Sequence, residues 1–484
     1  MKTYNNGTYL IIVRGRDGVR QGHFPLAVSI IILAAGQGTR MRSALPKVLQ
    51  SLAGRTLLRH VVDSARQIGA DDICVVHGHG AEAVKASLPD EAVRWVLQDR
   101  QLGTGHAAQQ AMPGTPDTHR VLVLFGDVPL IRPATLERLL ATGTGTGTGT
   151  GDEVVVLTVD MQDPHGYGRV VRRDGMVVRI VEQSDATKAE QAIREINTGV
   201  LGAPAAALKK WLARLDNDNS QGEYYLTDVI GMAVAEGVTV QGIKVGDWKE
   251  VMGINDRNQL ADAERALRER LTGELMTQGV GFADPARVDI RGTLSCGQDV
   301  YIDVNTVFEG RVELGDNVRI EAHNVLRDCS IAAGTVVHSY CHIDGASVGD
   351  QCELGPFARL RPGAELESDV KIGNFVEVKK STIATGSKVN HLSYIGDATI
   401  GRHVNVGAGT ITCNYDGANK FRTVIGDGAF IGSGVELVAP VEVGANATIG
   451  AGSTISKPAP PEALTVARAR QVTVDGWKRP LKKH

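Results

Sequence analysis

The chain has 484 residues, 42% of them hydrophobic and 22% charged, and a formal net charge of -3. That length exceeds one ordinary core and calls for two or three domains, while the near-neutral charge gives no reason to expect nucleic acid, whose binding needs a basic face. No apolar run reaches the ~18 residues of a membrane span. The six cysteines lie far apart without a Cys-x-x-Cys pair, which argues against a disulfide framework or zinc site and for a reducing, cytoplasmic setting.

Residues 1–26 read as a disordered extension, because the brief apolar patch Tyr9–Val13 precedes Arg14, Arg16 and Arg20. An export signal has the opposite order, basic before apolar. Next, Val28–Leu33 is a β-rich apolar strand running into Ala34-Ala-Gly-Gln-Gly-Thr-Arg-Met41 and then Leu45-Pro-Lys-Val-Leu49. A strand, a small-residue turn and a helix start predict a phosphate cradle, since backbone N–H groups there attract anions. A dinucleotide fingerprint would need glycine where Met41 stands, and a Walker loop would need Gly-Lys-Ser/Thr. Neither is present, and Arg40 and Lys47 close behind the glycines point to another kind of nucleotide site.

Val121–Phe125 predicts a second buried strand, ending in Gly126-Asp127. An Asp at the carboxyl end of a parallel strand points into the ligand crevice, where its hard oxygens suit Mg2+ held beside phosphates. Thr142–Gly151 is a bare Thr-Gly repeat between a predicted helix at Leu136–Leu140 and a strand at Glu153–Val159, and reads as a surface loop without function. Asp256–Gly279 carries Leu260, Leu267, Leu271 and Leu275 on one stripe, which predicts a helix of about 30 Å spacing two domains.

From about Leu314 onward aliphatic residues recur every six positions, as in Leu354, Leu360, Leu366, Ile372 and Val378, and again from Ile425 through Ile431, Leu437, Val443 and Ile449 to Ile455. Six is a multiple of the strand period and not of the helical one. Short strands with a turn every six residues wind into a hexapeptide parallel β-helix with the aliphatic residue inside. The phase lapses after Thr412 and returns at Ile425. Cys413–Arg422 is therefore predicted to leave the coil as a loop, and loops on a rigid scaffold concentrate binding residues.

With these residues in view, the chain is similar over roughly residues 27–480 to the bacterial family of bifunctional N-acetylglucosamine-1-phosphate uridyltransferase/glucosamine-1-phosphate acetyltransferases. Leu33–Met41 resembles the sugar-nucleotide pyrophosphorylase signature. Gln101-Leu-Gly-Thr-Gly-His106, Glu195-Ile-Asn-Thr-Gly199 and Gly222-Glu-Tyr-Tyr-Leu-Thr-Asp228 resemble its sugar and uridine contacts. The resemblance implies an α/β, Rossmann-like nucleotidyltransferase domain at 27–257, a helical linker at 258–278 and a left-handed parallel β-helix of hexapeptide repeats at 279–484. It implies acetylation of glucosamine 1-phosphate by acetyl-CoA in the β-helix, then uridylyl transfer from UTP in the first domain, with Mg2+ as cofactor. It also implies a homotrimer assembled through the coil.

Residue by residue, the resemblance gives Leu33, Ala34, Ala35 and Gly36 to the nucleotide, Arg40 and Lys47 to phosphates, and Gln98, Gly103 and Thr104 to uracil. Phe125 and Gly126 join that site, Asp127 and Asn255 hold Mg2+, and Gly168, Glu182 and Asn197 contact the sugar. In the β-helix His391 takes the proton of the substrate ammonium, a task for a group titrating near neutrality. Arg361, Lys379, Tyr394 and Asn405 bind the amino-sugar phosphate. Ala408, Asn414, Tyr415, Ser433, Ala451 and Arg468 meet acetyl-CoA, while the basic tail Lys478, Arg479, Lys482 and Lys483 reads as solvated surface.

Two other readings share parts of this plan. One is a single-activity nucleotidyltransferase whose coil is only structural, and the other a non-enzymatic binding subunit. The first has no use for His391 beside the 413–422 loop, and the second none for Arg40, Lys47 and Asp127.

Overall fold

The computed structural model describes residues 27–89, 92–143, 153–480 and 482. The amino-terminal extension, residues 144–152 of the Thr-Gly segment and Lys483 lie outside the described residues. The described residues form two compact units, divided in sequence between Leu267 and Arg268.

The first unit is built on a mixed sheet. Its strands are β1 (Val28–Ala34), β2 (Asp72–His77), β3 (Arg94–Leu97), β4 (Arg120–Phe125), β5 (Val154–Asp160), β6 (Arg169–Arg173), β7 (Met176–Val181), β8 (Glu195–Pro204) and β9 (Val240–Lys244). The order is β9-β5-β8-β4-β1-β2-β3, with β6 and β7 hung as a hairpin from β8. β1 is parallel to both β2 and β4, whereas β8 is antiparallel to β4 and β5. Every residue of β1 is buried, and alternate ones feed different cores. Ile30 and Ile32 pack with Leu58, Val61 and Leu136, while Ile31 and Leu33 pack with Ala107, Ala108 and Leu208. Side chains alternate across a strand, so helices on both faces make its sequence apolar except at Ser29, whose hydroxyl is paired with His119.

One expectation fails here. The turn after β1 opens no helix: Thr39–Met41 is a single 3-10 turn, and the first α-helix of the unit is Leu57–Gln67. Left-handed backbone at Gly38 and Arg42 stops the turn on both sides. Any phosphate cradle there consists of loop backbone and side chains, without a helix dipole behind it.

The second unit is the coil that the period of six predicts. Its ladders are parallel throughout, as in Glu353–Lys371–Lys388–Asn405–Phe430. All the six-spaced aliphatics from Leu354 to Val378 and from Ile425 to Ile455 are buried in one core. The parallel stacking begins ahead of the regular period, with Gly281–Phe282 against Tyr301–Ile302. In the body of the coil, partners on successive turns lie 17 or 18 residues apart, but this widens to 25 between Arg402 and Asp427. The excess is the loop at 413–422, a small hairpin closed by the Tyr415–Lys420 bridge. Arg257–Thr277 forms the predicted helix, with Leu260, Ala263 and Leu267 buried in its first part and Leu275 in the coil's core.

Candidate functional site

In the first unit the carboxyl ends of β1 and β4 lie side by side, Leu33 in register with Phe125. Gly126 continues this edge, donating its N–H to the Leu33 carbonyl at 2.9 Å. Asp127 follows, and its own carbonyl accepts the Ile254 N–H at 2.9 Å, which carries Asn255 to the same edge. Asn255 is held in turn by Gln259, whose side-chain oxygen accepts the Asn255 N–H at 2.7 Å. Between the two side chains stands Lys47. Its ammonium is paired with Asp127 and donates to Asn255 Oδ1 at 2.9 Å. A carboxylate and an amide oxygen thus converge on one cation, the donor chemistry that a hard divalent ion such as Mg2+ takes.

Gly38 makes room for this lysine. Its φ is +63°, and a Cβ placed there would lie 2.5 Å from Lys47 Cβ. Arg40, by contrast, is exposed and forms no hydrogen bond or ion pair among the described residues.

Beside this edge lies a cavity of about 220 Å³, whose lining includes Thr104, Phe125, Gly168, Glu182, Asn197 and Thr227. Five of these six were expected site residues by number, and Thr227 belongs to the Gly222–Asp228 motif expected to contact sugar and uridine. Its hydroxyl donates to Glu182 Oε1 at 3.0 Å. Burial pushes the Glu182 carboxyl above the usual carboxylate range, and the Thr227 bond opposes that shift. The Asn197 N–H donates to the Gly168 carbonyl at 2.8 Å, tying two walls together. Gly199 at φ +86° is needed because a Cβ would meet the Phe125 ring at 2.4 Å. At the rim, Gln98 is buried and its amide donates to the Gly103 carbonyl at 3.2 Å and to His106 Nδ1 at 3.0 Å. Thr104 Oγ1 accepts the Leu226 N–H at 3.1 Å.

In the second unit His391 ends the strand Lys388–His391, next to Asn374 at the end of Lys371–Asn374. One corner of the coil continues from there. Gly409 N–H donates to the His391 carbonyl, Gly434 N–H to that of Ala408, and Gly452 N–H to that of Ser433. Arg468 closes the column by donating to the Ala451 carbonyl at 2.8 Å. His391, Ala408, Ser433, Ala451 and Arg468 therefore form a single track along the coil, five expected residues in one line.

The cationic residues lie past that corner. Glu377 and Tyr394 are in register, as are Lys379 and Gly396. Arg361 Nη1 donates to Glu377 Oε1 at 2.8 Å, and this bond raises the guanidinium pKa. Lys420 joins them from the hairpin; its contact with Lys379 lowers its pKa. Glu377 was not among the expected residues, and Lys420 was expected only as part of the predicted loop, whereas Thr227 belongs to the Gly222–Asp228 motif expected to contact sugar and uridine. Asn414 is buried with its amide donating to Asp397 Oδ2 at 2.5 Å, while Tyr415 is exposed with its hydroxyl on the Gly417 carbonyl. Asn405 stands on the strand entering the corner and makes no side-chain hydrogen bond to the cationic group among the described residues.

The MobA-like NTP transferase domain matches residues 30–223, and the bacterial transferase hexapeptide (six repeats) matches residues 422–457. The chain is 57% identical to the bifunctional protein GlmU of Aromatoleum aromaticum over 457 residues, covering 94% of this chain and 99% of that protein. It is 56% identical to the GlmU of an Azoarcus species, over 94% of this chain and 100% of that protein. With the GlmU of Alkalilimnicola ehrlichii the identity is 58%, over 94% and 97%. Both halves of the fold and nearly the whole length are thus shared, and the chain belongs to the GlmU family of bifunctional proteins.

Proposed function

We propose that the clusters described above carry the two activities of a bifunctional transferase. The chain acetylates glucosamine 1-phosphate with acetyl-CoA, then transfers uridylyl from UTP to the N-acetylglucosamine 1-phosphate formed. The observation that carries our residue assignments is the Lys47 ammonium held between Asp127 and Asn255, on the sheet edge whose Phe125 lines the cavity.

In the uridylyl step a phosphate oxygen of the sugar attacks the α-phosphorus of UTP, and the bond to pyrophosphate breaks. Positioning and charge neutralisation supply most of the acceleration in such transfers. Asp127 and Asn255 would hold Mg2+, which when bound neutralises and orients phosphate oxygens. Lys47, whose ammonium lies between these two side chains, would meet phosphate alongside Arg40. Glu182 and Asn197 line the cavity that receives the sugar, and the backbone of Leu33, Ala34, Ala35 and Gly36 faces the nucleotide.

In the acetyl step the substrate ammonium gives a proton to His391, and the free amine attacks the thioester carbonyl. The nitrogen loses its second proton as the carbon–sulfur bond breaks, so that one of the two protons leaves with the CoA sulfur and the other passes through His391 to solvent. Arg361, Lys379 and Lys420 bind the sugar phosphate as a group of cations. The track from Ala408 to Arg468, with Tyr415 and Asn414 on the hairpin, receives acetyl-CoA. We further infer a homotrimer built on the coil and a cytoplasmic setting. All six cysteines are free thiols, and burial pushes Cys329 up to about 12, which makes it an inert packing group.

The test is one mixture of UTP, glucosamine 1-phosphate, acetyl-CoA and Mg2+, with CoA thiol and pyrophosphate followed separately. Thiol release must precede pyrophosphate release and continue without UTP. Pyrophosphate without prior acetyl transfer would overturn the order of the two steps.

A further inference from the structure

His391 is exposed, and an exposed imidazole turns freely unless something holds it. Its Nδ1 lies 2.8 Å from Asn374 Oδ1 on the preceding coil. An amide oxygen only accepts, so the proton must sit on Nδ1, leaving the lone pair on Nε2. The contact has a built support. Asn374 and His391 are register partners, and the Leu392 N–H donates to the Asn374 carbonyl at 3.0 Å. Ser393 Oγ donates to the His391 carbonyl at 2.8 Å, fixing the peptide on the other side. Gly373 allows the two coils to approach, because a Cβ there would stand 1.9 Å from the Asn390 carbonyl oxygen. Asn374 is also the next member, one coil down, of the track that runs from His391 to Arg468.

We propose that Asn374 is the positioning residue of the acetyl-transfer base: it fixes the ring of His391 and selects the tautomer whose Nε2 takes the substrate proton. The proposal rests on His391 being that base. A neutral amide does this without adding a negative charge that would hold the imidazolium protonated at neutral pH. The charged side chains on the two strands are Lys371 and Lys388, in register with each other three residues before the pair. The next strand, Asn405–Val406, carries no charge.

The experiment compares Asn374→Ala, Asn374→Asp and His391→Ala in the full chain, with steady-state acetyl transfer across pH, uridylyl transfer and thermal melting. Asn374→Ala should lower kcat for acetyl transfer by about tenfold to a hundredfold, by analogy with the loss of a group that orients a metal-bound imidazole. KM, uridylyl transfer and the melting temperature should stay near wild type. Asn374→Asp keeps the acceptor and should recover much of kcat, with the acidic limb of its pH profile displaced upward because a carboxylate stabilises the imidazolium. An unchanged kcat in Asn374→Ala, with His391→Ala inactive, would overturn the positioning role alone. An active His391→Ala would overturn the base itself. Loss in Asn374→Asp equal to that in Asn374→Ala, with no shift of the limb, would make Asn374 a packing residue.

Discussion

Lys47 and Asn255 stand 208 residues apart in sequence, yet the lysine ammonium donates to the asparagine side-chain oxygen at 2.9 Å. Lys47 and any metal thus compete for the same oxygens. Asp127→Ala should abolish the Mg2+ dependence of uridylyl transfer and lower its rate by a hundredfold or more, about the cost of losing one preorganised charge contact. Acetyl transfer should remain near wild type, and the pyrophosphate and thiol assays read the two outcomes separately. Equal loss in both would assign Asp127 to folding.

Gly38 bears directly on the same lysine. Alanine there adopts a left-handed backbone at a cost of about 1–3 kcal/mol and meets Lys47 Cβ at 2.5 Å. Gly38→Ala should therefore reduce kcat/KM for UTP by roughly tenfold or more, the equivalent of about 1.4 kcal/mol, with acetyl transfer untouched. Normal UTP kinetics would show that the loop relaxes without moving Lys47.

Glu182 gives a prediction in pH. Its folded pKa is raised above 4.5, chiefly by burial. The folded state thus binds the proton more tightly than the unfolded one, and its stability contribution is complete below 4.5 and lost as pH rises through the folded value. Glu182→Gln keeps the acceptor for Thr227 and removes the buried charge. Its melting temperature should exceed wild type at pH 7 and converge with it below the unfolded pKa of 4.5. Uridylyl transfer should fall, because the cavity loses its anionic wall. A melting difference independent of pH would deny the buried charge.

His391→Ala should lose about 100- to 10,000-fold of acetyl transfer, the usual worth of a general base, with uridylyl transfer and melting unchanged. The deficit should narrow as pH rises and free amine accumulates. A variant keeping more than about a tenth of the rate at neutral pH would fall outside that range and remove the base assignment.

What sequence made legible follows from how local each signal is. The coil's period repeats within six residues, and every six-spaced aliphatic from Leu354 to Val378 is buried as expected. Asp127 was readable because it ends an apolar strand. Its partner Asn255 was readable only by resemblance, since a single backbone bond from Ile254 to Asp127 brings it there. The antiparallel direction of β8 has no local signature, because the same apolar run serves either direction. The missing helix after β1 shows the opposite error: small residues suggested a helix start, and left-handed backbone at Gly38 and Arg42 closed the turn at once.

The track from His391 to Arg468 has a metric consequence. Strands of neighbouring coils sit about 4.8 Å apart, so four coil steps set its length near 19 Å, whatever side chains occupy it. The coil works as a ruler: under the proposed function, a ligand lying along this track would be stretched parallel to the axis, with its reacting end at His391. Extra residues extruded at 413–422 leave that spacing unchanged, because the Tyr415–Lys420 hairpin projects sideways from the stack without adding a coil. Deleting one whole coil between His391 and Ser433 would shorten the ruler by a full division, and no side-chain substitution could restore it.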